Sequence, residues 1–160
     1  MTLTNESLIK IIDAPDKKSQ IHTGDEDPEY PFFTVHNPNK KDIYFLAIDN
    51  CIFFSKDGEK CDFAVFDDNR LCFVELKRGL SSDKDIRRVK LKKAHDQLRE
   101  TIKAFRKDIK FIDKHILEAC ACVGYEAPVP RAKASDTSLL WEFQKSYKTD
   151  LYWGNEVTFS

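Results

Sequence analysis

Two acids and a lysine within one short stretch carry the best-defined chemistry of this sequence. Asp62 immediately precedes an apolar run at 63–66. Glu75 lies inside a second apolar run at 71–76, and Lys77 follows it. Charged side chains are rarely buried without a partner or a task, so acids set into apolar strands indicate a site. Because residues two apart in a strand share a face, Glu75 and Lys77 point the same way.

The two apolar runs are expected to form a hairpin whose register brings the acids together. A turn centred on Asp68-Asn69 places residue 66 opposite residue 71, and the same register places Asp62 opposite Glu75. Directly opposite residues project to one side of a sheet, with Cβ atoms about 5 Å apart. A three-residue loop would shift the register, so the prediction depends on a symmetric turn.

Facing carboxylates repel each other unless a cation lies between them. Lys77 supplies one positive charge, whereas a divalent metal supplies two and suits hard oxygen ligands. Mg²⁺ typically takes one or two carboxylates together with water and substrate phosphate. These residues therefore predict metal-assisted phosphodiester hydrolysis, in which Lys77 orients the attacking water or stabilises charge at phosphorus. The alternative is a plain cross-strand ion pair on an exposed face.

Asp62 and the tripeptide Glu75-Leu76-Lys77, between a predicted short helix and a predicted long one, resemble the motif of the PD-(D/E)xK nuclease superfamily. The resemblance covers roughly residues 5–124. It implies a restriction-endonuclease-like core of a helix, a hairpin that carries the acids, a further helix and another strand. It also implies that Asp62 and Glu75 bind Mg²⁺ or Mn²⁺ and that Lys77 is the catalytic lysine.

Three more positions bear on this resemblance. Some branches of the superfamily add a Gln on the helix after the lysine, and Gln97 stands at that place in AHDQLRETI. Other branches add an acid on the first helix, for which Glu6 is the candidate. The alternative for Gln97 is a helix residue that faces solvent. The alternative for Glu6 is an acid near a helix N-terminus that the helix dipole favours. Cys61 stands where the eponymous Pro would be, at a position that varies widely in the superfamily.

A basic segment follows the hairpin. Residues 84–110 contain eleven Lys or Arg and four Asp or Glu, although the whole chain has a net charge of −1. We expect one face of this helix to bind a phosphate backbone. The residues of this basic stripe are Lys92, Arg99, Lys103, Arg106 and Lys110, of which the first four are the predicted nucleic-acid contacts. The alternative is a solvated helix face.

Aromatic residues near the C-terminus allow two interpretations. They can stack on bases, or they can form the core of a C-terminal appendage, and the second is the expectation here. The residues concerned are Trp141, Tyr147, Tyr152 and Trp153.

The predicted fold class is mixed α/β (α+β), with one domain over residues 1–160, a core at about 5–124 and a C-terminal appendage at about 125–160. Its elements are a short helix, a three- to four-stranded, mostly antiparallel hairpin sheet, a long helix, a further strand and a small helix–hairpin appendage. The predicted helices are 5–13, 86–107 and one capped by Asp136 or Thr137. The predicted strands are 32–36, 43–48, 51–54, 61–66, 71–77, 117–123 and a final hairpin that turns at Gly154-Asn155.

Composition indicates the cellular compartment and the roles of the cysteines and histidines. No apolar run is long enough to span a membrane, and the N-terminus lacks the features of a signal peptide, so we expect a cytoplasmic protein. The five Cys lack zinc spacing and are expected to be small buried hydrophobes in a reducing compartment, although Cys120 and Cys122 on one strand face could suit a metal. The four His are expected to be surface or local structural residues.

The sequence predicts a Mg²⁺- or Mn²⁺-dependent nuclease that acts on nucleic acid, on DNA rather than RNA. Defence, repair and mobile-element processing are all open. Specificity is expected to come from substrate structure, from a second copy in a homodimer or from a larger complex. The alternative is a non-catalytic module that binds nucleic acid or protein and retains the nuclease fold.

Overall fold

The computed structural model describes residues 1–12, 18–23, 28, 32–49, 51–52, 58–77, 84–124, 132–134 and 136–160. These residues form eleven strands, two α-helices and one 3₁₀ helix. The strands are β1 (Thr2–Thr4), β2 (Leu8–Ile12), β3 (Gln20–His22), β4 (Phe32–His36), β5 (Ile43–Ala47), β6 (Phe63–Phe66), β7 (Arg70–Lys77), β8 (Ile116–Val123), β9 (Ala132–Lys133), β10 (Thr149–Trp153) and β11 (Glu156–Thr158). The helices are α1 (Lys84–Asp108), the 3₁₀ helix (Lys110–Lys114) and α2 (Thr137–Tyr147).

A seven-stranded mixed sheet, called sheet A, forms the centre, with the order β1-β5-β6-β7-β8-β10-β9. Its first four strands pair antiparallel, whereas β8 pairs parallel with both β7 and β10. The connection from β7 to its parallel neighbour β8 runs through α1, because parallel strands need a long crossover. The sheet is therefore larger than the three or four strands predicted, and the mixed α+β class is confirmed.

A second sheet, called sheet B, has the order β11-β4-β2-β3. Sheet B covers one face of sheet A, and this interface buries Ile11, Phe33 and Phe63 completely. The other face of sheet A packs against α1 and α2, where Phe73 and Phe105 meet edge to face at 5.0 Å between ring centroids. Two hydrophobic cores thus lie on opposite sides of sheet A.

The predicted hairpin at the centre of sheet A is confirmed in its register. Phe66 pairs with Leu71 and Phe63 pairs with Val74, as a turn centred on Asp68-Asn69 requires. The side chain of Asp67 tightens this turn by accepting the Asn69 and Arg70 amides at 2.9 and 2.8 Å. Such self-capping is the reason that Asp is common in turns.

The predicted helix at residues 5–13 is wrong. Leu8–Ile12 is strand β2, which pairs antiparallel with β3 and β4, and Glu6 lies in the exposed turn before it. The stripe of Leu8, Ile11 and Ile12 fits helical spacing, but three isoleucines in five residues also suit a strand. Two partner strands favour the extended form, which buries Ile9 and Ile11 against sheet A. The first helix that the superfamily resemblance implies is therefore not formed by these residues.

The predicted C-terminal hairpin is also wrong, and so is the idea of an appendage. β10 joins sheet A beside β8, whereas β11 joins sheet B beside β4. Gly154, at a φ of 127°, and Asn155 carry the chain from one sheet to the other, and the Asn155 amide donates to the Phe32 carbonyl at 3.1 Å. The helix before β10 is confirmed, with Asp136 as its N-cap.

Smaller differences concern the loops. Cys51 and Ile52 do not begin a strand, because their amides donate to the Ile48 carbonyl in a turn. The rest of that predicted strand, residues 53–54, lies outside the described residues. The strand at Phe32–His36 and the long helix are confirmed, whereas β1, β3 and β9 are short strands that the sequence did not indicate. No helix within the described ranges is long and apolar enough to cross a membrane.

Candidate functional site

The carboxylates of Asp62 and Glu75 each accept a backbone amide from across the open end of the β6–β7 hairpin. The Asp62 amide donates to Oε2 of Glu75 at 3.1 Å, and the Leu76 amide donates to Oδ2 of Asp62 at 2.6 Å. Each carboxylate therefore accepts a backbone N–H of the opposite strand, where the regular ladder ends. The predicted juxtaposition of the two acids is present in the fold.

The acids lie in the interior. Glu75 is completely buried and Asp62 is 9% exposed, whereas the Lys77 side chain is 21% exposed and its Nζ contacts Oε1 of Glu75. Glu75 shares the strand face of Phe73, which packs on α1, so the site lies between sheet A and that helix. The alternative of an ion pair on an exposed face is wrong for these residues.

Helix α1 holds the segment that carries Asp62. The Cys61 amide donates to Oγ1 of Thr101 at 2.8 Å, and the Thr101 hydroxyl donates to the Gln97 carbonyl at 2.8 Å. Nε2 of Gln97 donates to the Lys60 carbonyl at 3.0 Å. Two side chains one helical turn apart thus fix the backbone on which Asp62 stands, because residues i and i+4 share a helix face.

Gln97 is buried, so the alternative prediction that it faces solvent is wrong. Its Oε1 is buried and has no hydrogen-bond partner among the described residues. Buried polar atoms are almost always satisfied, so this oxygen is suited to a water molecule or a cation. Carboxylate and amide oxygens are hard ligands of the kind that Mg²⁺ takes, so the residue types of Asp62, Glu75 and Gln97 suit a divalent metal. No cluster of three or more His, Cys, Asp or Glu occurs in the described part of the chain.

Cys61 lies against the acid pair. Burial raises the pKa of its thiol well above the ordinary value, and the negative charge of Glu75 raises the pKa further. The Thr101 hydrogen bond lowers the pKa by a smaller amount, and Asp62 again raises it. Cys61 is therefore a protonated, unreactive thiol that packs the base of the site.

The predicted basic stripe is largely neutralised by neighbouring acids. Lys103 pairs with Glu100, and the Arg106 guanidinium pairs with Asp113 at 3.4 Å and also donates to the Tyr147 carbonyl. Arg106 therefore ties α1 to the 3₁₀ helix and to the end of α2.

Arg99 likewise acts as a link between elements. It pairs with Asp96 on its own helix and with Glu142 on α2, at 2.5 and 2.9 Å. Lys92 differs from Arg99, Lys103 and Arg106, because it is exposed and has no acidic partner in the described chain. The stripe is thus mostly a set of structural ion pairs.

Sequence reasoning missed two buried basic residues. Lys60 is 4% exposed and its Nζ donates to the Gly58 carbonyl at 3.4 Å. His95 is 8% exposed and lies on the apolar stripe of α1, between Leu91 and Leu98. The spacing of four from Leu91 and three to Leu98 was the available signal that His95 faces inward.

The aromatic residues near the C-terminus divide between core and surface. Tyr147 and Trp153 pack against the core beside α1, whereas Tyr152 packs against the core beside sheet B. Trp141 is 63% exposed and stacks under the Lys145 ammonium at 4.2 Å, so its prediction as a core residue is wrong.

The prediction for the paired strand cysteines is confirmed as to burial. Cys120 and Cys122 lie in the core with their sulfurs 3.9 Å apart, and burial raises the pKa of the Cys122 thiol. Metals bind the thiolate form, which this burial disfavours.

Comparisons of this chain with known protein families, with curated proteins and with solved structures give no match.

Proposed function

We propose that this protein is a metal-dependent nuclease that hydrolyses phosphodiester bonds of nucleic acid, with DNA as the favoured substrate. The observation that carries the proposal is the buried pair of Asp62 and Glu75 with Lys77 at its edge. Burying two acids costs folding free energy. A fold that buries such a pair beside a partly exposed lysine therefore has a use for the charges.

The residues of the site would have three roles: binding the metal, assisting the reaction at phosphorus and supporting the ligands. Asp62, Glu75 and the free amide oxygen of Gln97 would hold Mg²⁺ or Mn²⁺, which supplies polarisation of the phosphate and a more acidic water. Lys77 stands at the mouth of the site, where its ammonium is placed to orient water or to stabilise charge at phosphorus. Helix α1 supports this arrangement through Thr101 and Gln97, because a rigid backbone places ligands better than a loop does.

The test is nuclease activity on supercoiled plasmid, linear duplex, single-stranded DNA and RNA, each with Mg²⁺, Mn²⁺ or EDTA. Glu75→Gln and Lys77→Ala are expected to lose metal-dependent cleavage on every substrate. Glu118→Gln is the matched control, because Glu118 is also a buried acid of sheet A, paired with Arg70 at 2.8 Å. Cleavage that survives in Glu75→Gln contradicts the proposal, provided that both variants are folded.

A second candidate is a binding module that keeps this arrangement without catalysis. The observation that favours it is that both carboxylates already accept backbone amides and that Glu75 is already paired with Lys77. In that case the acids replace ladder hydrogen bonds at the hairpin end and need no metal. A folded wild-type protein that binds nucleic acid but is neither stabilised by metal nor active across the panel would favour this function.

A further inference from the structure

A pocket of about 480 Å³ opens between the first half of α1, the start of α2 and the end of β10. Leu91, Leu139 and Trp153 form its apolar walls, and His95 also lines it. Its volume is in the range of roughly 300–1,000 Å³ that small-molecule sites occupy. The nuclease proposal assigns no role to this pocket.

The pocket and the acid pair lie on the same face of sheet A. Trp153 is registered with Ala121 of β8, and Ala121 is registered with Glu75 of β7. Residues directly opposite each other project to the same side, so Trp153 and Glu75 both project toward α1. Two strand spacings place their backbones roughly 10 Å apart. This separation is short enough for one nucleic-acid strand to contact both the pocket and the acid pair.

The charges that line the pocket leave a positive excess. Asp136 caps α2 by accepting the Leu139 amide at 3.1 Å, and Asp96 is paired with Arg99. The other two charged lining residues, Arg88 and Lys92, are exposed and have no acidic partner in the described chain. Two exposed cations at the mouth of an apolar pocket suit a phosphate group.

Two buried polar atoms at the pocket lack partners. Neither Nε2 of His95 nor Nε1 of Trp153 has a hydrogen-bond partner among the described residues. An uncharged imidazole offers one donor and one acceptor, and an indole offers a donor. Heteroaromatic rings with polar edges match this combination of apolar walls and unpaired polar atoms.

We propose that this pocket binds one unstacked nucleotide of a single-stranded segment, with the base between Leu91, Leu139 and Trp153 and the phosphate on Arg88 and Lys92. The inference rests on the proposed nuclease function, and it narrows the substrate to strands with unpaired nucleotides near the scissile bond. Base stacking on an aromatic side chain suits single strands, because a paired base has no free face to offer.

The first test measures binding in EDTA, so that cleavage plays no part. A 12-nucleotide single-stranded DNA is expected to bind about tenfold more tightly than the duplex of the same sequence, from stacking of one base. Arg88→Ala/Lys92→Ala is expected to reduce the single-strand affinity about tenfold, and to reduce the slope of log affinity against log salt by about 0.7 for the one phosphate contacted. Lys107→Ala/Lys114→Ala removes the same charge from exposed positions elsewhere and is the matched control.

A second measurement reports on the pocket itself. Trp141→Phe removes an exposed indole and leaves Trp153 as the remaining tryptophan of the two in the chain. The fluorescence of Trp153 is expected to change when the 12-mer binds. In this titration His95→Leu is expected to weaken binding of the 12-mer, whereas His95→Gln is expected to retain part of the affinity. A mononucleotide such as dAMP is expected to compete only at much higher concentration than the 12-mer.

The outcomes separate this inference from the nuclease proposal. Equal affinity for single strand and duplex, equal effects of the two double variants, or a mononucleotide that binds as tightly as the 12-mer each overturn the pocket inference. Mg²⁺-dependent cleavage that is unaffected by Arg88→Ala/Lys92→Ala overturns the pocket inference and leaves the nuclease standing. Pocket-dependent binding without cleavage in any metal overturns the nuclease and supports the pocket.

Discussion

The hydrogen bond from the Leu76 amide to Asp62 makes a sharp prediction about stability. Asp62→Ala and Asp62→Asn both remove the negative charge beside Glu75. The difference between their free energies of unfolding therefore isolates the loss of the hydrogen-bond acceptor. The amide oxygen of Asn can still accept the Leu76 N–H, whereas Ala leaves this donor without a partner at a residue that is 5% exposed. An unsatisfied buried donor costs about 1–3 kcal/mol. We therefore expect Asp62→Ala to be less stable than Asp62→Asn by this amount.

The assay is urea unfolding in EDTA, followed by tryptophan fluorescence and circular dichroism, with thermal melts beside it. For a chain of this length each kcal/mol corresponds to about 2–4 °C in Tm, so Asp62→Ala should melt about 2–12 °C below Asp62→Asn. Asp68→Ala against Asp68→Asn is the control pair, because Asp68 lies in the exposed turn of the same hairpin. That pair is expected to differ by no more than about 0.5 kcal/mol.

Addition of metal extends the same experiment to function. At a free Mg²⁺ or Mn²⁺ concentration one hundred times the Kd, the wild type should gain about 2.7 kcal/mol of stability. This gain should disappear in Asp62→Asn and in Glu75→Gln, because each variant removes a carboxylate ligand. Equal stability of Asp62→Ala and Asp62→Asn would refute the described geometry at the hairpin end. Metal stabilisation that persists in both carboxamide variants would refute the assignment of the ligands.

Three further predictions concern the support of the site and the buried groups. Thr101→Val removes the acceptor of the buried Cys61 amide and should cost about 1–3 kcal/mol in urea unfolding, whereas Thr101→Ser should keep most of that stability. Ellman's reagent should modify one thiol rapidly in the native protein, that of the exposed Cys51, and the other four only after unfolding; rapid modification that persists in Cys51→Ser would contradict the burial. Because burial lowers the pKa of His95 below its ordinary 6.5, the unfolded chain takes up a proton before the folded one does, so stability should fall as the pH drops below about 6.5. His95→Gln should make that decline shallower, and an unchanged pH profile would show that another group causes it.

The central hairpin and the long helix could be predicted from the sequence because both are local. Two apolar runs joined by a short polar turn determine strand pairing and register within about fifteen residues, and this register brings Asp62 to Glu75. The spacing of apolar residues at three and four likewise defines α1 without reference to the rest of the chain. The candidate acids were therefore visible before any tertiary structure was known.

Other features depended on partners far away in sequence. Leu8–Ile12 suits a helix or a strand by pattern, and its pairing with β3 and β4 decides for the strand. The turn at Gly154 looks like a hairpin locally, but β10 pairs with β8 and β11 pairs with β4. Local propensity is a weak prior that tertiary packing overrides.

The chemistry of the site shows the same division. The types of Asp62, Glu75 and Lys77 follow from the sequence, but the burial of the two acids and their hydrogen bonds to backbone amides follow from how α1 packs over the hairpin. Arg99 belongs to a basic stripe by sequence, yet α2 supplies the acid that neutralises it. Sequence determines which charges are present, whereas the fold decides which of them meet a partner, because charge pairing depends on distance in space and not along the chain.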